Sequence, residues 1–258
     1  MDSKVVEVLG GQGYVRLIDF MGDETRIVNA ARVSFGKRVD AIEEKDRVLI
    51  RYLINNQHTS PLEHVEFTFL VHCPLFIRGQ WHRHRTWSYN EISRRYTEFD
   101  LQFYVPPKIR GQAKINRQAS VDGFGEGEDH EEHIKSIMAK HNIGCLKLYQ
   151  NLLDEGVARE QARGVLPQNM MVTFYATVDL HNLIHFINLR SHEGAQWEMV
   201  QYAEALKQLI KPIVPTVYEA KWGIIERFEA IEEATYGTKP DGKRYYNVRG
   251  PDGKFTQP

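Results

Sequence analysis

Between residues 65 and 71 bulky apolar side chains recur at every second position, Val65, Phe67, Phe69 and Val71, which predicts a half-buried strand. Cys73 ends this run ahead of Pro74, a favourable first-turn residue for a helix through Ile77 and Trp81. Residues 170–177 alternate again and are rich in Val, Thr, Phe and Tyr, a second strand. Elsewhere the period lengthens. Ile134, Ile137, Met138, His141, Cys145, Leu148, Tyr149 and Leu152 recur at spacings of three and four, predicting a core helix over about 129–155 with Gly156 as its stop. Residues 41–56 read as an amphipathic helix with Ile42, Leu49, Tyr52 and Leu53 near one face. Asp179 is placed to cap a helix running to Leu189, and a longer helix from about Ala195 is disturbed by Pro212 and Pro215.

Two stretches lack such a pattern. Residues 120–130 are acidic and glycine-rich, and read as a loop. After Tyr236 the polar tail carries Asp241-Gly242 and Asp252-Gly253, both turn signals, and reads as an exposed hairpin or a disordered extension. Helices and strands mix without βαβ alternation. The expected fold is therefore α+β, a mixed or antiparallel sheet flanked by helices, as a single catalytic domain over 1–236 with a polar extension over 237–258.

Composition narrows the class. The 258 residues are 42% hydrophobic and 26% charged, enough chain for a sizeable core. The formal net charge of −1 excludes a molecule that is basic as a whole, so anion binding must come from local clustering. No apolar run approaches the roughly 18 residues that span a bilayer, and the start Met1-Asp2-Ser3-Lys4 does not read as a signal peptide. A soluble cytoplasmic protein without membrane partners is the expectation. Cys73 and Cys145 lie too far apart to form a C-x-x-C site.

The local cluster is residues 78–96, which concentrate five arginines with His82, His84 and several hydroxyls. Guanidinium forks suit phosphate oxygens and ring carbonyls, and serine hydroxyls can complete an anion nest. Glu91 stays ionised in this positive field and can orient an arginine or accept from a ligand hydroxyl. The bland alternative is a solvated basic face, or an RNA-binding patch over 81–96 with Trp87 and Tyr89 interleaved. The order of residues argues otherwise. Arg83-His84-Arg85, then Ser88, Glu91, Ser93 and Arg95 at fixed intervals, resembles the signature of the flavin-dependent thymidylate synthases. His58-Thr59-Ser60-Pro61-Leu62-Glu63-His64, Gln80-Trp81, Arg163-Gly164-Val165-Leu166-Pro167, Leu189-Arg190 and Ala195-Gln196-Trp197-Glu198 resemble further family blocks, so that the likeness covers about residues 14–220.

That resemblance implies conversion of dUMP to dTMP, with reduced FAD as hydride source, methylenetetrahydrofolate as carbon donor and NADPH as flavin reductant. It implies a homotetramer with active sites between subunits, and no nucleic-acid partner. The nucleotide positions are Gln80, Trp81, His82 and Arg83 from one subunit, Glu91, Ile92, Ser93, Arg94 and Arg95 from a neighbour, and Arg163 and Arg190. The flavin positions are Ser60, Arg83, His84, Arg85, Glu91, Asp179, Leu180, His181 and His185. The resemblance gives the catalytic role to Arg190, which stabilises an N3-deprotonated pyrimidine so that no enzyme thiolate is required. The family pattern carries Asn and Arg where this chain has Asp179 and His181. An acid beside a flavin phosphate is unfavourable, which leaves that contact to backbone groups.

Other motifs read as structure. Ser60-Pro61-Leu62-Glu63 also fits a capping box with Pro at the first helical position. Gly10-Gly11-Gln12-Gly13 lacks the spacing of a phosphate loop and reads as a turn. His181 and His185 sit four apart, but no acidic ligand accompanies them, so no metal site is assigned and a metallohydrolase is disfavoured. Ser93 has no evident base and is assigned to ligand binding. Cys73, at the end of an apolar strand, reads as a small hydrophobe, and His58, His64 and His72 as polar or packing partners.

Overall fold

The alternating run at 65–73 becomes the centre of a five-stranded sheet. The computed structural model describes residues 4–93, 101–114, 120–123, 127–192 and 194–223, together with the backbone of short strands beyond. Arg94, Arg95 and the two turn signals of the tail lie outside the described residues. In chain order the strands are β1 (Val5–Val8), β2 (Gly13–Met21), β3 (Glu66–Pro74), β4 (Ser88–Glu91), β5 (Gly111–Gln112), β6 (Ser120–Val121) and β7 (Met171–Asp179). The helices are α1 (Glu24–Arg32), α2 (Glu44–Asn55), α3 (Leu75–Trp81), α4 (Glu128–Asp154), α5 (Arg159–Ala162), α6 (Leu180–Arg190), α7 (Trp197–Ile210) and α8 (Pro215–Tyr218). The main sheet has the order β1-β2-β3-β7-β4, and each of its pairings is antiparallel. In the tail, Tyr236–Thr238 pairs with Arg244–Tyr246 and Val248–Arg249 with Phe255–Thr256.

Register explains why β3 is central. Phe67, Phe69, Val71 and Cys73 are each fully buried and oppose Val178, Ala176, Phe174 and Val172 of β7. The small Ala176 leaves room for Phe69. Burying one such Phe or Val contributes about 1.5–3 kcal/mol, so this single strand face carries much of the core. On the opposite face Thr68 hydrogen-bonds Thr177 at 3.0 Å and His72 bonds Thr173 at 2.8 Å, while Tyr175 is exposed. His72 also stacks on Tyr14, the packing role expected of it.

Helices α6 and α7 cover the apolar face. Trp81, at the end of α3, is fully buried between Phe174 of β7, Phe186 of α6 and Tyr202 of α7. Tyr202 Oη donates to the His72 carbonyl at 2.7 Å, and Gly13 lies so close to this hydroxyl that a Cβ there would collide with it. Gly10 and Gly11, at φ 68° and 84°, make the β1–β2 connection a turn. Beyond α7 the buried Glu24 holds the start of α8, accepting from the backbone N–H of Thr216 and Val217 and from Thr216 Oγ1 at 2.8 Å.

Four local expectations need correction. Helix α2 forms, and Leu53 is buried with Ile42 and Leu49 packed partly buried against the core as expected, but Tyr52 is exposed and Ile50 and Ile54 are buried beside Leu53 instead. Helix α4 has the predicted limits but is not a core helix: Tyr149 and Asn142 are buried, whereas Ile137, Ile143 and Leu148 are 50%, 54% and 48% exposed. Residues 60–64 form a 3₁₀ turn rather than a boxed α-helix, with no side-chain bond from its N-cap Thr59. The stretch 120–130 is partly ordered structure, since β6 pairs with β5 and α4 begins at Glu128.

Candidate active site

The end of α3, the edge strand β4 and the C-terminal half of α6 bring the basic cluster together. Arg78 faces Glu91 at the end of β4, with its Nε donating to Glu91 Oε2 at 2.6 Å. His82 stacks on Tyr89 at 4.1 Å, and the Tyr89 hydroxyl is shared between the carbonyls of Trp81 and His84 at 3.1 and 2.9 Å. Burial, and then the charge of Arg78, lowers the His82 imidazole to about 4.

His84 is buried beneath this turn. It packs 4.6 Å from the Phe186 ring and 6.2 Å from the His185 ring. Arg190 Nε donates to His84 Nε2 at 3.0 Å, and its terminal NH2 donates to the Gln80 carbonyl at 3.1 Å. Burial first, then Arg190 and His185, lowers His84 to about 4, so it is neutral near pH 7. Burial also lowers the Arg190 guanidinium from its ordinary value.

Two cavities flank this pair. The first, an open cleft of ≈ 630 Å³, is lined by Arg78, Gln80, Arg83 and Arg190 with Leu75, Phe76, Gly79 and Gln168. The second, ≈ 270 Å³, has apolar walls from Leu53, Ile54, Leu62 and Ile184 and a polar rim that includes Thr59, His181, His185, Asn188 and Lys221. Three arginines at one cleft form an anion site with planar donors. A cavity with apolar walls and a polar rim suits a heteroaromatic ring carrying polar substituents.

Five of the expected positions line these cavities. Gln80, Arg83 and Arg190 share the cleft; His181 and His185 share the smaller cavity; Ser60 is exposed between its lining residues Thr59 and Leu62. Trp81 and Leu180 are fully buried, so neither side chain faces a cavity. Arg163 is exposed on a 3₁₀ turn and is not among the cleft-lining residues, Arg85 is exposed, and Ile92 is 42% exposed next to Ser93. Asp179 acts as the N-cap of α6, accepting from Asn182 N at 2.9 Å and Asn182 Nδ2 at 2.6 Å, which accounts for an acid at this position. Sequence reasoning missed Phe76, Gln168 and Lys221. Gln168 directly follows the Arg163–Pro167 block, whereas nothing marks Lys221, which enters from a π-turn.

Trp87 is 6% exposed and Tyr89 is engaged with His82 and two carbonyls, so these two aromatics do not form an open stacking platform for RNA bases. Among the described residues no three His, Cys, Asp or Glu side chains are grouped to hold a metal ion, and no helix is long and apolar enough to cross a membrane.

Comparison with known proteins agrees with the geometry. The profile of the thymidylate synthase complementing protein family matches residues 16–216. The chain is 47% identical over 209 residues to the flavin-dependent thymidylate synthase of Thermus thermophilus, covering 81% of this chain and 75% of that one. The chain belongs to the flavin-dependent thymidylate synthase family. Another relative of that name, from Thermosipho africanus, is 40% identical over 220 residues, covering 85% of this chain and 93% of its own. Among solved structures, the UMP/dUMP methylase PolB of Streptomyces cacaoi bound with 5-Br UMP superposes with a TM-score of 0.73 at 33% identity, covering 87% of this chain and 96% of that one.

Proposed function

We propose that the protein methylates dUMP at C5 to give dTMP, as a flavin-dependent thymidylate synthase. The observation that carries this reading is the convergence of Arg78, Gln80, Arg83 and Arg190 on one cleft, with His84 joining Arg190 to the cavity of His181 and His185. Reduced FAD supplies the hydride when bound, with methylenetetrahydrofolate as carbon source and NADPH as reductant. The residues of the smaller cavity fit part of that cofactor: apolar walls for a ring, and Lys221, His181 and Thr59 for polar or phosphate groups. Its ≈ 270 Å³ lies below the roughly 300–1,000 Å³ of pockets for drug-sized ligands, so one protomer encloses only a portion of FAD.

The protein's own contribution is charge and placement. Uracil is a poor nucleophile at C5 until negative charge builds on the ring. Arg190, partly desolvated and anchored through His84 and the Gln80 carbonyl, offers its remaining guanidinium N–H groups to that charge. A preorganised donor of this kind supplies about 3–4 kcal/mol to a transition state. Arg78 and Arg83 hold the phosphate. Cys73 takes no part: it is fully buried in β3, and burial pushes its thiol well above the ordinary range.

The working unit in this proposal is a homotetramer whose active sites lie between subunits, with Glu91 to Arg95 completing a neighbour's cleft. The incomplete cofactor cavity and the exposed Ile137, Ile143 and Leu148 of α4 support assembly. The free thiols of Cys73 and Cys145 suit a reducing, cytoplasmic setting. Tritium release from dUMP labelled at C5, supplied with FAD, NADPH and methylenetetrahydrofolate, tests the activity. Release that requires every component supports it. Absence of release from a folded, flavin-loaded protein refutes it.

A further inference from the structure

Gln80 begins a chain of side-chain hydrogen bonds that has a direction. Gln80 Nε2 donates to Gln196 Oε1, Gln196 Nε2 donates to Glu198 Oε2 at 3.0 Å, and Tyr104 Oη donates to Glu198 Oε1 at 3.3 Å. Gln80 lines the nucleotide cleft; Gln196 and Glu198 line a separate cavity of ≈ 420 Å³. Glu198 therefore acts on the cleft only through Gln196 and Gln80.

A carboxylate accepts and cannot donate, so both groups against Glu198 must be donors. Tyr104 is buried and keeps its proton, since burial and Glu198 both push its phenol upward. Gln196 must turn its amide nitrogen to Glu198 and its carbonyl to Gln80. Gln80 must then turn its own nitrogen to Gln196, which leaves its carbonyl oxygen for the cleft. The backbone at this point is also held, because the Gln80 carbonyl accepts from Arg190 at 3.1 Å.

We propose that Glu198 is a positioning residue for nucleotide selectivity. Through Gln196 it fixes the amide of Gln80 so that an oxygen acceptor meets an N–H or O–H donor of the pyrimidine nucleotide, the imide N3–H or the 3′-hydroxyl. A ligand presenting a lone pair at that point meets an unpaired acceptor and is rejected. This inference rests on the nucleotide reading of the cleft given above.

The test is calorimetric binding to the FAD-loaded protein of dUMP, N3-methyl-dUMP and the 3′-deoxy analogue of dUMP, in the native chain and in Glu198→Gln. The amide is the same size but admits both directions of the chain, so only a fraction of molecules is competent and dUMP binding weakens about fivefold. KM for dUMP rises by the same factor while kcat stays within about twofold. The analogue lacking the donor that meets Gln80 binds both proteins equally, and which analogue does so identifies the donor. Gln196→Ala, which cuts the chain in its middle, gives the same pattern independently. Unchanged dUMP affinity in both variants, or equal weakening of dUMP and both analogues, overturns the proposal. Failure of the native protein to bind dUMP refutes the nucleotide reading itself, and this inference with it.

Discussion

Arg190 Nε donates to His84 Nε2 at 3.0 Å, and the direction of that bond fixes the state of the histidine. A guanidinium has only donors, so Nε2 must carry a lone pair and the ring proton resides on Nδ1. A protonated His84 would set a donor against a donor and a cation against a cation. Burial first, and then this contact and His185, lowers the imidazole to about 4.

Stability should follow from that shift. In the unfolded chain His84 titrates near its ordinary 6.5, and in the folded chain near 4. As pH falls below 6.5 the unfolded state takes up a proton that the folded state refuses. The contribution is thus fully present above 6.5 and is lost progressively toward pH 4. His82 behaves in the same way. Thermal melts from pH 7 to 4 should show a shallower fall for His84→Gln than for the native chain; parallel curves would exclude His84 as a source.

Arg190→Ala should fold and retain FAD, because the guanidinium touches His84 and a backbone carbonyl rather than the core. Loss of a preorganised donor lowers kcat by about 10²–10³-fold. Tritium release and flavin absorbance, measured together, check both halves, and a near-normal rate would remove Arg190 from its assigned role.

Cys73→Ala separates this chemistry from thiolate chemistry. The truncation opens a small hole in β3 and costs about 1 kcal/mol of stability, read by urea unfolding. Turnover should persist. A folded, flavin-bound Cys73→Ala protein without activity would reinstate a cysteine nucleophile.

Asp179 caps α6 through Asn182. Asp179→Ala should cost about 1 kcal/mol as a lost N-cap, whereas Asp179→Asn keeps an acceptor for Asn182 N and should cost much less. Equal losses in urea unfolding would show that the negative charge, not the cap, matters.

Gly13→Ala sets a methyl group against Tyr202 Oη and the His72 carbonyl, which lies 3.0 Å from the Cβ position. Overpacking of this kind costs about 1–3 kcal/mol. Pairing it with Tyr202→Phe, which removes the struck hydroxyl, should recover part of the loss in the same denaturant assay.

The strands were legible because period-two alternation needs only local residues: Phe67, Phe69 and Val71 are buried where the pattern puts them. The signature segment was legible through its order, and Arg83 and Arg190 do share a cleft. What stayed hidden depends on distant partners. The inward face of α2 is chosen by what packs against it, so Ile50 and Ile54 are buried while Tyr52 is exposed. Helix α4 has core-like spacing but lacks a covering layer within the described protomer. Trp81 sits within the ligand-binding motif yet fills the core, since its large ring finds Phe174, Phe186 and Tyr202. The Gln80–Gln196 contact joins residues 116 apart in sequence, a separation that no local pattern encodes.

Helix α6 has a consequence for which changes the chain can tolerate. It carries His185 at one cavity and Arg190 at the other. Five residues of α-helix advance about 7.5 Å and turn about 140°, which is how one rod serves two sites at a set spacing. Adding or deleting a single residue between them would swing Arg190 by about 100° and detach it from His84. Side chains of this stretch that face away from the core, such as the exposed Leu189, can vary in kind. The number of residues cannot, so the interval from His185 to Arg190 is a ruler whose length is under stricter constraint than most of the letters written on it.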